Sequence, residues 1–169
     1  MRTRRLLQLT LVLCGLVAAN PGIAAAQKGT VATKLLQANA YQENGSPAPA
    51  KDAACTAKYK TFLGQQVSNT YDINVKTGRM TASATFKGVP TQLFPMGLSS
   101  SYGFISDGIP PALQKIGLMR LIFKLDKQFG NPKNYLMFPL ESGFNCVLSN
   151  GLLEAAEAQE LLNGKPQKN

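Results

Sequence analysis

Residues 71–86 read YDINVKTGRMTASATF, two runs that alternate with period two about a Thr77-Gly78 turn. Tyr71, Ile73 and Val75 in the first run, and Met80, Ala82, Ala84 and Phe86 in the second, fall on one face of an antiparallel hairpin. The intervening residues are polar, so one face of the sheet is covered and the other is wet. Ala82 and Ala84 leave room for a close neighbour, most simply a packing helix, or more sharply a ligand. The fold expected from this core is α+β: a small antiparallel sheet built around the 71–86 hairpin, packed by two to four helices and closed by one disulfide.

Downstream, residues 88–108 are rich in Gly, Pro and Ser, with a further strand expected within Tyr102–Ile105. A helix is expected from Pro111 to Phe129, entered at Pro110-Pro111 and ended by Gly130-Asn131-Pro132. It has a rival, because Met119, Leu121, Phe123 and Leu125 alternate with Arg120, Ile122, Lys124 and Asp126. That pattern suits a strand from Leu118, paired with 135–140. Residues 142–148 place Cys146 on a strand, and Leu152–Leu162 (LLEAAEAQELL) is a helix by propensity.

Upstream, Val31, Leu35, Leu36 and Ala38 have helical spacing within 30–42, and 43–51 (ENGSPAPAK) is a linker. A second helix is expected from Asp52, as its cap, to Leu63, turning Cys55, Tyr59, Phe62 and Leu63 to one side. The expected divisions are a cleaved signal peptide (1–26), an N-terminal helix with a Pro/Ala linker (27–50), a single globular domain (51–163) and a flexible tail (164–169).

The signal peptide is read from Arg2, Arg4 and Arg5, an apolar run from Leu6 to Ala19 and the Ala24-Ala25-Ala26 end. It implies an exported protein, periplasmic or extracellular and bacterial in style, with no membrane span in the mature chain. A lipoprotein box at Cys14 is disfavoured by the bulky Leu13, and the twin-arginine resemblance is faint. Losing three arginines lowers Lys plus Arg from 18 to 15 against 9 acids, so the net charge falls from +9 to +6. Losing Cys14 leaves Cys55 and Cys146, and in an oxidising compartment one disulfide is the economical reading.

The chain has no histidine. Ser-His-Asp and Cys-His catalysis are thereby excluded, and the commonest zinc ligand is missing. Ser99-Ser100-Ser101-Tyr102-Gly103 approximates a nucleophile elbow, but only a lysine depressed by burial could activate it. Glu154, Glu157 and Glu160 suit a solvated helix face, or docking on the protein's own basic side. The methionines suit core filling, and neither a cofactor nor a metal is expected.

The basic residues remain. Lys58, Lys60, Lys76, Arg79 and Lys87, joined by Arg120, Lys124 and Lys127 along one face of the 111–129 helix, form a candidate anion-binding surface. Outside the cytoplasm its partners would be an anionic envelope polymer, a lipid surface or a protein. Nucleic acid is not expected, since two arginines survive processing. The leading expectation is an exported, non-enzymatic binding module. The alternatives are a cofactor-free hydrolase using Ser with Lys or a carboxylate pair, and a carrier of a small apolar ligand.

Overall fold

The computed structural model describes residues 26–167. The expected signal peptide, Ala26 apart, and the last two residues of the tail lie outside the described residues. In chain order the elements are β1 (Ala26–Lys34), β2 (Gln37–Gln42), α1 (Asp52–Tyr59), β3 (Gln66–Asn74), β4 (Arg79–Phe86), β5 (Val89–Met96) and β6 (Ser101–Ser106). There follow α2 (Pro111–Gln114), β7 (Arg120–Asp126), β8 (Lys133–Glu141), β9 (Phe144–Ser149) and α3 (Ala155–Leu162).

The expected α+β fold is overturned. All nine strands join one antiparallel sheet, in the order β1-β3-β4-β5-β6-β7-β8-β9-β2, that curls into a half-barrel, and the three helices are short accessories. The hairpin is its seed, with Tyr71 opposite Ala82 and Ile73 opposite Met80. Asn74 Oδ1 accepts the Thr77 N–H and tightens the turn. The next turn is Lys87-Gly88, both with positive φ, which matches strand twist in a two-residue hairpin. Among the described residues the expected packing helix over Ala82 and Ala84 is not found: α1 packs on β2 and β9. The Tyr71 ring lies 6.1 Å from that of Phe123 on the facing wall, and Phe123 in turn stacks on Phe104.

The helix expected over 30–42 is instead two strands, so 26–50 belongs to the sheet. No residue of β1 is fully buried, and without a buried face its sequence carries little alternation. Only Leu35 and Leu36 separate β1 from β2, yet these are the two edges of the sheet. The Leu35 N–H donates to Gln65 O at 2.9 Å on the β3 side, and the Leu36 N–H donates to Ser149 O at 2.8 Å on the β9 side. The edges therefore meet at one corner, where Leu35 is buried. The 43–51 segment covers the outer edge of β2: Ala48 N–H donates to Ala40 O and Gln42 N–H to Ser46 O. Asp52 does not cap α1, because its Oδ1 accepts the Ala40 N–H.

The 111–129 helix is also overturned. One turn, α2, is followed by β7, which pairs with β8 as the rival reading required. Leu121, Phe123 and Leu125 face the interior with Leu136, Phe138 and Leu148. Ile122, Tyr135, Met137 and Val147 face outward and are buried beneath Leu153, Ala158, Leu161 and Leu162 of the α3 region. Burial on both faces produces a nearly continuous apolar run, which blurs the strand signature. The tail is tied back, with Gln167 N–H donating to Pro95 O.

One end of the interior is closed by α1 and the 3-10 turn after it (Lys60–Phe62). Tyr59 donates its hydroxyl hydrogen bond to Pro139 O at 2.7 Å, and the Phe62 ring packs on Phe138 and edge-on to Phe86. Cys55 and Cys146 are joined with Cα atoms 5.4 Å apart, as the cysteine arithmetic predicts. Deeper inside, Asn69 on β3 and Asn134 on β8 are fully buried and exchange two hydrogen bonds of 3.1 and 2.7 Å.

Candidate functional site

In an antiparallel meander successive turns alternate between two ends, and this sorts the predicted basic residues. Lys87, in the β4–β5 turn, lies at the α1 end with Lys58 and Lys60. All three are exposed, and none is in an ion pair among the described residues. Lys58 Nζ stands 5.4 Å from the centre of the Tyr59 ring, and Lys87 Nζ stands 5.4 Å from that of Phe62. The rings that close the interior thus also seat two of the ammonium groups.

Lys76, in the β3–β4 turn, and Arg79, the first residue of β4, lie at the opposite end. Lys127, in the β7–β8 turn, is at that end too, its Nζ 4.1 Å over Tyr102, whose ring stacks on Phe129. The structure therefore does not bring the eight residues into one patch.

Arg120 and Lys124 project from the outer face of β7 under α3. Arg120 donates to Leu162 O at the last turn of the helix, where an unpaired carbonyl and the negative end of the dipole favour a cation. Lys124 forms an ion pair with Glu157 in the first turn. Of the three glutamates expected on a solvated face, Glu157 instead docks on the protein's own basic side, while Glu154 and Glu160 stay exposed. Burial lowers the pKa of both Arg120 and Lys124. For Lys124 the neighbouring Lys133 adds to the fall and Glu160 opposes it.

Beside this ion pair, Leu98, Ser100, Ser101, Lys124, Ala156, Glu157, Glu160 and Leu161 line a cleft of about 350 Å³. It unites the serines and the half-buried lysine that Ser–Lys chemistry requires. That chemistry needs a neutral amine to accept the serine proton. Burial moves Lys124 in that direction, but its amine is held in contact with the Glu157 carboxylate, which favours the ammonium and occupies the amine that a serine would need. The same contact engages one member of the Glu157 and Glu160 pair. Among the described residues no three of His, Cys, Asp and Glu gather to hold a metal. The interior that an apolar ligand would occupy is filled by Phe86, Phe104, Phe123 and Phe138, all fully buried.

The α3 contact also encloses two tyrosines that sequence reading missed. Tyr135 is buried with its hydroxyl unpartnered among the described residues, and Tyr41 donates a long 3.4 Å bond to Leu153 O. Desolvation raises both pKa values. Tyr41 adds to the rise at Tyr135, and Asp52 and Glu154 add to that at Tyr41. A tyrosine whose pKa is raised by folding contributes stability below its unfolded pKa, near 10, and loses it as pH climbs toward the folded value. Tyrosinate absorbance should therefore show Tyr41 and Tyr135 ionising at higher pH in the folded protein than in the unfolded chain. A Tyr135→Phe variant should tolerate alkali better than the parent. Free titration of all five in the folded protein would contradict the packing of α3.

No family model, curated protein or solved structure matches this chain. No helix among the described residues is long and apolar enough to cross a membrane, and the disulfide is compatible with an oxidising compartment.

Proposed function

We propose that this is an exported, non-enzymatic binding module that contacts an anionic envelope polymer through its α1 end. The observation that carries the reading is the gathering of Lys58, Lys60 and Lys87 there, exposed and outside the ion pairs that occupy Lys28, Lys51 and Lys124. Two of the ammonium groups rest over rigid rings, so less side-chain freedom is lost when an anion arrives. Arg120 and Lys124 are spent on α3 and take no part. The filled interior and the Glu157 contact weigh against the carrier and the Ser–Lys hydrolase.

Titration with polyphosphate and with polygalacturonate at low and high salt tests this. Binding should fall with salt, and Lys58→Gln, Lys60→Gln and Lys87→Gln together should weaken it by roughly 100-fold, at about 1 kcal/mol per lysine. Lys76→Gln with Arg79→Gln, at the other end, should leave affinity within a few-fold. Equal binding by the triple variant and the parent, or no binding by the parent at low salt, would refute the assignment.

A further inference from the structure

The two edges of the sheet are treated differently. The outer edge of β2 is covered by its own 46–48 segment, with the hydrogen bonds described above. Along β1, no hydrogen bond among the described residues reaches the main chain from the side away from β3. This is the longer edge, nine residues in unbroken register with β3, eight of them (27–34) kept after the expected cleavage, and free of proline and bulge. Its register is pinned at Gly29, directly opposite Tyr71, whose ring lies where a side chain at 29 would project.

The corner tells which groups are open. The Leu35 N–H turns toward β3 and the Leu36 N–H toward the other side. Alternation back along the strand leaves the N–H and C=O groups of Ala32, Thr30 and Lys28 facing outward. Long, regular open edges of this kind pair with other strands unless blocked by proline, bulges, inward-facing charge or edge lysines, and of these β1 carries only Lys28 and Lys34, which restrict the registers open to it.

We propose that β1 is the seam of a two-fold dimer, pairing antiparallel with β1 of a second copy about Thr30. The sequence is self-complementary in that register. Thr30 meets its symmetry mate, a favourable cross-strand pair, and Lys28 meets Ala32. Moving the centre to Val31 would set Lys28 against Lys34, and moving it to Lys28 would set that residue against itself, both like-charge clashes. The seam forms about six main-chain hydrogen bonds across residues 28–32 and leaves the α1 end of each copy free.

Sedimentation equilibrium of the purified protein over a wide concentration range provides the test. The parent should associate to a dimer. Thr30→Pro removes an outward N–H that β3 does not use, so it should be monomeric while its melting temperature stays close to the parent's. Ala32→Lys, which opposes Lys28 across the seam, should also be monomeric and serves if the proline variant fails to fold. A parent that stays monomeric throughout, or variants that dimerise as the parent does, would overturn the proposal. Because the readout is mass and not polymer binding, it stands or falls separately from the lysine assignment.

Discussion

Replacing Cys55 and Cys146 together by alanine should lower the unfolding free energy by about 4–5 kcal/mol. The bridge joins residues 91 apart, so cutting it releases a long loop in the unfolded chain. Native contacts add to the loss. Both cysteines are fully buried, Cys55 on α1 and Cys146 on β9 between Ala40 and Phe138. The bridge holds α1 over the end of the interior, where Tyr59 and Phe62 meet Phe86 and Phe138. For a chain of this size the melting temperature should fall by roughly 10–20 °C. Calorimetry of the parent and the double variant, each with and without reductant, measures it. A shift of only a degree or two would mean that α1 docks without the bridge.

Asn134→Leu should cost roughly 3–4 kcal/mol although leucine has as many side-chain heavy atoms as asparagine. Asn134 donates to Asn69 Oδ1 and to Thr33 Oγ1 and accepts from Asn69 Nδ2, tying three strands together across the interior. Removing it leaves the Asn69 amide fully buried without its partner. An unpaired buried amide is penalised more than a pair absent altogether. Asn69→Leu combined with Asn134→Leu should therefore be more stable than Asn134→Leu alone, with a coupling of about 1–3 kcal/mol in the double-mutant cycle. Simple additivity in denaturant titrations would show that the two amides do not depend on each other.

The parts of the fold legible in the sequence are those where one physical signal dominates. Residues 71–86 alternate because one face of β3 and β4 is in the core and the other in water. Residues 152–162 read as a helix through strong formers, of which 155–162 are helical in the fold. The disulfide followed from counting cysteines once an export segment was read. The missed parts are those where that signal is absent or doubled. β1 is an edge strand with no fully buried residue, so its few apolar side chains could be laid equally well on a helix. β7 is buried on both sides, and the second burial comes from α3, some thirty residues away in the chain.

The same misreading altered the candidate site. As a helix, 111–129 would have shown Arg120, Lys124 and Lys127 to solvent together. As a strand it turns Arg120 and Lys124 under α3 and sends Lys127 to the far turn. The total of basic residues was readable, but their grouping required the strand order. The partnership of Lys124 with Glu157 had a trace in the acidic spacing of the last helix, but no way to choose its partner.

The corner at Leu35 and Leu36 also governs the order in which the molecule can be completed. A chain made from its N-terminus produces β2 early, yet the strand that β2 pairs with is β9, so Gln37 must wait for Ser149. The second strand of the chain is among the last to be sealed. Contacts of such long separation slow folding, because the closure entropy is spent before the pairing rewards it. β1 can pair with β3 as soon as residue 74 is made, but until β9 arrives β2 has no strand to pair with, and a truncation anywhere before residue 144 leaves it without one.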